Sequence, residues 1–228
     1  MAAAEHLIIS SYHDAPPFLI NPQHQSGLNQ DFVNAIAPML APDYTVELKL
    51  VNRPQLNEQL ANDQPAIVLW AHPDWFTEHP LPLYWAGPLF SDREVLVAKR
   101  KTPKVNPDVA GLTLAARNGY HYQGLDPRVA EHSLNRVDFN SDRAMLAEVL
   151  VGKADVAVIT RSSFVYYVQQ PQFLGKLTIV GQPYADYQRQ ILLSHHYQTL
   201  QPKLQQAIEK LKDDPHWQRR LAVYGLKQ

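Results

Sequence analysis

PLYWAGPLFSDREVLVAKR, residues 82–100, is the stretch that decides the fold. Its first half is rich in Pro, Gly and aromatic residues and predicts a turn segment, whereas residues 94–98 have the Val and Leu content of a buried strand. The basic, Pro-containing residues 99–108 continue neither strand nor helix and indicate a linker or a change of structural unit. A second short apolar run, residues 190–194, precedes a helix near the end of the sequence. We expect the two runs to cross together between two lobes and to leave a cleft there.

The composition is that of a globular protein. The 228 residues are 45% hydrophobic and 19% charged, so the chain can bury a core and disorder is excluded. The net charge of -1 leaves no excess of Lys and Arg for phosphates, and we expect no nucleic-acid partner. The absence of Cys excludes disulfides, thiolate zinc sites and Cys nucleophiles. No apolar run reaches membrane-spanning length, and the start MAAAEH is too short for a signal peptide but compatible with the remainder of a cleaved one.

Strand and helix patterns alternate along the sequence, which predicts an α/β fold. The first part reads as strand, helix, strand, helix, strand, with strands at 6–11, 44–51 and 66–70, a helix after Gly27 that contains Pro38, and a helix at 55–60. Beyond the basic segment we predict strands at 112–116, 155–159 and 177–180, helices at 141–150, 164–169 and 200–212, and a short helix around Trp217 and Leu221.

Six segments carry a family resemblance in the right order: YHDAPPF, GLNQDFVNAIA, YWAGPLFSDREVLVAK, VAGLTLAARNG, MLAEVLVGKADVAVIT and LQQAIEKLKDDPHW. Together they resemble the polar-amino-acid-binding type (family 3) of periplasmic solute-binding protein, the substrate-binding component of ABC transporters. The resemblance implies a type II-like periplasmic-binding-protein fold of two α/β lobes joined by two crossing strands. Lobe 1 would comprise residues 1–96 and 191–228, and lobe 2 residues 97–190.

The resemblance also implies a way of working. A small solute would be held in the cleft by hinge closure, like a Venus flytrap, and delivered to a membrane permease or to a signalling receptor. It further implies a periplasmic monomer whose signal peptide has been removed, without a cofactor and without enzymatic activity.

Carried over position by position, the resemblance also gives the ligand contacts. The Arg with which the family usually grips a carboxylate falls on His79, and the acidic residue that usually holds an ammonium falls on Thr160. Because both halves of a zwitterion clamp are replaced, the sequence argues against an ordinary amino acid as ligand. The candidate contacts are Tyr12, Trp70, His72, Asp74, His79, Arg117, Asn118, Gly119, Tyr120 and Thr160.

Each candidate has a structural alternative. Arg117, followed by the backbone N–H groups of the next two residues, is either an anion anchor or half of a surface ion pair. Asp74 either contacts a cation or hydroxyl of the ligand or caps the turn after its neighbouring Pro. Tyr12, Trp70 and Trp85 either form an aromatic box around the ligand or belong to the core.

Histidine residues raise the question of metal binding. His72, Asp74 and His79 are metal-ligating residue types, but their Pro-rich segment has no helical register to bring the side chains together, so we predict no metal site. His195 and His196 follow the second apolar run, and we expect them to be surface residues at a strand end.

Three functions remain in competition. The first is solute binding, with an organic acid, a peptide fragment, an aromatic amine or an unusual amino acid as possible ligands. The second is an enzyme on the same fold, against which stand the absence of a GxSxG elbow, of a phosphate-binding Gly-rich loop and of Cys. The third is a degenerate binding fold that acts as a sensor or a protein-interaction module.

Overall fold

The structure, a computed structural model, describes residues 3–24, 26–100, 106–108 and 110–228. Ten strands are described: β1 (Glu5–Ser11), β2 (Tyr44–Leu50), β3 (Ile67–Ala71), β4 (Leu83–Asp92), β5 (Glu94–Lys99), β6 (Leu112–Arg117), β7 (Leu134–Phe139), β8 (Val156–Thr160), β9 (Leu177–Gly181) and β10 (Tyr187–Ser194). The α-helices described are α1 (Leu28–Leu40), α2 (Arg53–Ala61), α3 (Asp126–Ala130), α4 (Asp142–Val151), α5 (Arg161–Tyr167), α6 (Gln201–Lys212) and α7 (Pro215–Val223). Short 3-10 helices lie at Pro22–His24, Pro73–Trp75 and His195–Leu200.

The chain divides into two compact units, which confirms the predicted architecture of two α/β lobes. Unit 1 comprises Met1–Ser91 and Tyr187–Gln228, and unit 2 comprises Asp92–Asp186. These divisions fall a few residues before the expected ones at 96/97 and 190/191. The reason is that β5 pairs with β8 and β9, all within unit 2, whereas β10 pairs with β3 of unit 1.

Unit 1 is built on a five-stranded sheet in the order β2-β1-β3-β10-β4. β1 runs parallel to β2 and to β3, and β10 runs antiparallel to β3. The carboxyl ends of β1, β2 and β3 therefore meet the amino end of β10 at one edge of the sheet. Loops at such an edge are where open α/β sheets hold ligands.

Unit 2 repeats this plan with the order β7-β6-β8-β5-β9. β6 is parallel to β7 and β8, and β5 is antiparallel to β8. Alternate residues of β5 enter two different hydrophobic clusters, Val95 and Val97 on one face and Leu96 and Ala98 on the other. A strand covered on both faces explains the nearly continuous apolar sequence from which it was predicted.

Local signals account for the helices. In α1 the buried residues Phe32, Val33 and Ile36 recur at helical spacing, and Pro38 lies inside its last turn. The hydroxyl of Ser141 accepts the N–H of Ala144 at 3.2 Å and caps α4, which ends at Gly152 with φ of 82°.

The prediction of a turn segment for the first half of residues 82–100 is wrong, because these residues form most of β4. Gly87 lets the neighbouring strand approach, since a Cβ there would lie 3.3 Å from Cα of Gln190. The backbone N–H and C=O of Gly87 bond to the side chain of Gln205 at 2.8 and 3.0 Å. A helix side chain thus satisfies backbone groups in a stretch whose Gly and Pro resemble a turn.

Three other elements differ from the expectation. β10 begins three residues before the apolar run at 190, and the sequence-based prediction contains neither α3 nor β7. β7 is an edge strand that is mostly exposed or half-buried, so its residues are polar and do not alternate clearly. Of the expected linker at 99–108, residues 101–105 lie outside the described residues.

A substitution of Leu114 tests the packing of the hydrophobic core of unit 2. Its side chain is fully buried among Leu96, Ala116 and Val158, so Leu114→Ala should lower the free energy of unfolding by about 2 to 5 kcal/mol. Urea denaturation followed by circular dichroism measures this. The control Val151→Ala, at a side chain 67% exposed, should change it by less than about 0.5 kcal/mol. Equal effects of the two substitutions would contradict the assigned core.

Candidate functional site

Aromatic, His and Arg side chains gather where β1, β2 and β3 end and β10 begins. Their chain positions explain this, because each lies within a few residues of one of those strand ends. We call this cluster the unit 1 edge. It consists of Tyr12, His13, Arg53, His72, Trp75, Tyr187 and Arg189.

Arg189 is the buried centre of the unit 1 edge, with 1% of its surface exposed. Its Nη1 donates to the backbone oxygen of Trp70 at 3.0 Å and lies 3.2 Å from Nε2 of His13, and its Nη2 donates to the hydroxyl of Tyr187 at 3.1 Å. Because a guanidinium has only donors, Nε2 of His13 must be the acceptor, which places a neutral imidazole beside the charge.

Aromatic rings surround the same guanidinium. The carbon Cζ of Arg189 lies 4.9 Å from the ring centroid of Tyr187, 5.1 Å from that of Trp75 and 5.2 Å from that of Phe18. Such cation–π contacts are worth about 2 kcal/mol or more when desolvated. Arg189 is not among the candidates predicted from the sequence. The only indication in the sequence is a single Arg directly before the apolar run of β10.

Arg53 is a second cation at the unit 1 edge and is half-buried. Its Nη2 donates to the backbone oxygen of Trp75 at 2.7 Å, and its Cζ lies 4.4 Å from the ring centroid of Phe76 and 5.3 Å from that of Tyr12. Among the residues that the structure describes, no carboxylate forms an ion pair with it. Burial raises the pKa of the Tyr12 hydroxyl, and the positive charges of Arg53 and Arg189 partly oppose this rise.

Two of the sequence candidates, Tyr12 and His72, belong to the unit 1 edge. The backbone N–H of Asp74 donates to Nδ1 of His72 at 3.3 Å, so the imidazole caps the 3-10 helix that follows it. Burial lowers the pKa of His72, the charge of Arg189 lowers it further, and the carboxylate of Asp74 at 3.7 Å opposes the shift. His72 is therefore neutral near pH 7. Asp74 lies inside this 3-10 helix and is exposed, so the residue that caps the turn is His72 and not Asp74, as the structural alternative expected.

Trp70 lies in the core rather than in an aromatic box. It is fully buried, and its Nε1 donates to Oδ1 of Asn29 at 2.6 Å while its ring packs against Phe32 and Phe90. Trp85 packs against Phe76 at 6.2 Å between ring centroids. No ring contact joins Tyr12 to either Trp within the described chain, so the expected box is not formed in unit 1.

His79 is also placed away from the unit 1 edge. Its Nε2 lies 3.2 Å from the backbone oxygen of Leu60, and its Nδ1 lies 3.0 Å from that of Leu81. Leu60 is near the end of α2, about 10 Å along the helix axis from Arg53 at its start. The imidazole of His79 contacts two backbone oxygens at the end of this helix that is far from Arg53. We therefore do not include His79 among the candidate contacts of the unit 1 edge.

The remaining candidates lie at the corresponding edge of unit 2, where β6 and β8 end. Arg117 is 13% exposed, and its Nη1 lies 3.3 Å from Oδ1 of Asp142, so its ion pair is with a buried carboxylate and not with one at the surface. The N–H of Asn118 donates to the oxygen of Phe139 at 2.9 Å and is not available to an anion. Gly119 has φ of 74° with open space beside it, and Tyr120 lies under the guanidinium of Arg117 at 5.9 Å.

Thr160 uses its hydroxyl to begin α5. Oγ1 accepts the N–H of Ser163 at 3.2 Å and lies 3.0 Å from Oγ of Ser162. The hydroxyl of Ser162 in turn donates to the buried carboxylate of Asp92 at 2.8 Å. The position that the resemblance assigns to an ammonium-binding acid therefore holds a helix cap.

Arg136 holds the turn at 117–120 in place, a role that the sequence did not reveal. Its Nη2 donates to the backbone oxygens of Arg117 at 3.1 Å and Tyr120 at 2.8 Å, while its other nitrogens contact Asp126 and Asp138. The turn that carries the unit 2 candidates is thus tied to β7 by one side chain.

Comparison with solved structures identifies the fold. The GluR0 ligand-binding core from Nostoc punctiforme, in complex with L-glutamate, is 18% identical with a TM-score of 0.73, covering 96% of this chain and 99% of that one. An ancestral arginine-binding protein bound to arginine is 18% identical with a TM-score of 0.77, covering 98% and 100%. The BvgS periplasmic domain of B. pertussis is 20% identical with a TM-score of 0.72, covering 96% of this chain and 42% of that one. The chain therefore has the two-lobed α/β fold of type II periplasmic binding proteins.

Other comparisons add no closer relative. No protein-family model matches the chain, and no curated protein matches it. Within the described residues, each helix is too short or too polar to span a membrane.

His72 gives a prediction for pH. Because its pKa is lowered in the fold, the unfolded chain takes up the proton more readily, and stability from this group is lost as pH falls below about 6.5. His72→Asn keeps an acceptor for the cap and should show a smaller loss on acidification in urea denaturation between pH 7.5 and 5. His121→Asn, at a side chain 95% exposed, serves as control. An unchanged pH profile in the His72 variant would refute the assignment.

Arg136 gives a prediction for stability. Arg136→Ala should lower the free energy of unfolding by about 1 to 3 kcal/mol, since two backbone oxygens lose their donor. Chemical denaturation is the measurement, and Arg143→Ala, at an exposed position of α4, is the control. If the two substitutions have the same effect, Arg136 does not hold the turn.

Proposed function

We propose that this protein is a periplasmic solute-binding protein that captures a small polar anion, such as an organic acid, and delivers it to an ABC transporter. Ligand would bind one unit first and recruit the other by hinge closure, shifting an open-closed equilibrium through its differential affinity. The protein would bind its ligand without converting it chemically. The observation that carries the proposal is a half-buried Arg53 at the unit 1 edge of this fold, with no carboxylate partner among the described residues.

The charges at the unit 1 edge favour an anion. Arg53 and Arg189 are both charged, because a guanidinium keeps its proton in proteins, whereas His72 is neutral at pH 7. The acidic residues that adjoin this edge in sequence, Asp14 and Asp74, are both exposed. On unit 2, Arg117 adds positive charge, although Asp142 neutralises part of it. A partly buried guanidinium can form charge-assisted hydrogen bonds to a ligand carboxylate.

An ordinary amino acid fits these edges less well. An ammonium group needs an acceptor, and both positions that the resemblance gives to the zwitterion clamp are used structurally, His79 in a loop and Thr160 as a helix cap. We therefore propose Tyr12, His72, Arg53, Arg117, Gly119 and Tyr120 as the contacts for ligand.

A second function is supported by one observation. The similarity in fold extends to the BvgS periplasmic domain as well as to an arginine-binding protein. A sensor that signals through a receptor is therefore the alternative to transport. The two differ in the protein that would recognise the ligand-bound form, a permease or a receptor.

Native mass spectrometry of the purified protein, before and after denaturation and refolding, tests ligand binding. We expect a small acidic molecule to be carried by the native protein and lost on refolding. A thermal-shift screen of organic acids and the standard amino acids on the refolded protein should then show stabilisation by acids. A refolded protein that responds to neither class would count against solute binding and leave the sensor or interaction module.

Arg53 tests the ligand class. For the acid that stabilises most in the screen, Arg53→Met and Arg117→Met should each weaken binding at least tenfold in isothermal titration, because a charge-assisted hydrogen bond is lost. Lys210→Met, at an exposed position of α6, should leave the affinity unchanged. If Arg53→Met binds as the unchanged protein does, the anion anchor is not Arg53.

A further inference from the structure

Asp63, His195 and His196 form a cluster of potential metal ligands in unit 1, away from the strand ends that form the unit 1 edge. One donor atom from each of the three side chains lies within 4.8 Å of the other two. Oδ1 of Asp63 is 3.4 Å from Nδ1 of His195 and 4.0 Å from Nδ1 of His196. The two imidazole rings face each other with centroids 4.0 Å apart. A single carboxylate oxygen therefore faces two imidazole nitrogens.

The backbone holds these donors in place although the residues are more than 130 positions apart in sequence. Asp63 follows the end of α2 with φ of 53°, and its N–H donates to the oxygen of Leu60 at 3.0 Å. Ser194, directly before the His pair, binds Ala66 twice, through N–H to oxygen at 2.9 Å and through its hydroxyl to N–H at 3.0 Å. Asp63 is thus fixed to the end of α2, a few residues before β3, and the His pair directly follows β10, which pairs with β3. The cluster therefore does not depend on two loops meeting by chance.

The donor set suits a borderline divalent metal. Zinc takes imidazole nitrogen at about 2.0 to 2.1 Å and carboxylate oxygen at about 2.0 to 2.2 Å in tetrahedral geometry, which places neighbouring ligand atoms about 3.3 Å apart. Oδ1 of Asp63 and Nδ1 of His195 are already separated by about this distance. A small rotation of His196 would bring its Nδ1 to a similar distance from Oδ1 of Asp63. Two imidazoles and one carboxylate leave a fourth position for water or another ligand.

We propose that Asp63, His195 and His196 bind a zinc ion at the surface of unit 1. This goes beyond the proposed capture of an anion and is independent of it, because none of the three residues belongs to the unit 1 edge. A bound zinc ion would join the loop after α2 to the start of the 3-10 helix His195–Leu200. The expectation that the two His are surface residues at a strand end is confirmed, since both follow β10 directly and are partly exposed, and the proposal gives them a role there.

Equilibrium dialysis of the tag-free protein against zinc, with the metal measured by mass spectrometry, tests the site. We expect one saturable zinc ion per chain, and an increase in melting temperature that grows with free zinc, as binding to the folded state requires. Asp63→Asn and His195→Gln should each weaken zinc binding at least tenfold, and the variant with both His195→Gln and His196→Gln should abolish it.

His6 offers a matched control, since its Nε2 lies 3.0 Å from a carboxylate oxygen of Glu47 at an exposed position, and the described residues place no second imidazole beside this pair. His6→Gln should bind zinc as the unchanged protein does. Because all the substituted side chains are partly exposed, circular dichroism and melting without metal should match those of the unchanged protein. The proposal is overturned if no saturable zinc binding is found, or if the Asp63 and His195 variants retain it.

Discussion

The buried guanidinium of Arg189 is the interaction on which the unit 1 edge depends. A charge that is 1% exposed is costly to bury unless its donors are satisfied. Here Nη1 and Nη2 reach a backbone oxygen near the end of β3, an imidazole after β1 and a hydroxyl on β10 itself, so one side chain joins three of the strand ends. Removing it would leave the aromatic rings of this edge packed around a void.

The two units share one sheet topology but carry different side chains at the ends of their strands. In each sheet three parallel strands end at one edge, and an antiparallel strand completes it. In unit 1 this edge carries rings around cations, whereas in unit 2 Arg117 is paired with Asp142 and Thr160 caps a helix. The shared topology brings polar side chains to the strand ends, but only their individual partners decide which of them can meet a ligand.

The sequence predicted the framework well because the framework follows periodicity. Buried strands such as β5 and β8 are apolar throughout, and α4 carries both its cap and its terminating Gly, so local residues suffice. The sequence-based predictions were wrong for residues whose role depends on a partner far away in the sequence. The side chain of Gln205 accepts the backbone N–H of Gly87 in a stretch whose sequence resembles a turn. The side-chain oxygen of Asn29 accepts the indole N–H of the buried Trp70.

The candidate sites were harder to predict for the same reason. Neither Arg53 nor Arg189 belongs to a motif, and an isolated Arg in sequence does not reveal whether it has a carboxylate partner. Asp63 and the His pair become neighbours only because β3 and β10 pair.

The two cations of the unit 1 edge have separable roles. Arg189 is too buried to reach a ligand, yet its charge still acts at the edge, where it adds to the larger effect of burial in lowering the pKa of His72. Arg53 is half-buried, donates from Nη2 to a backbone oxygen and from Nε to Oδ1 of Asn57, and lies over two rings. A fixed interior charge that raises the local potential and a second charge near the surface would together favour anions over cations without a direct contact from Arg189. An anion preference would then depend partly on a residue that never touches the ligand.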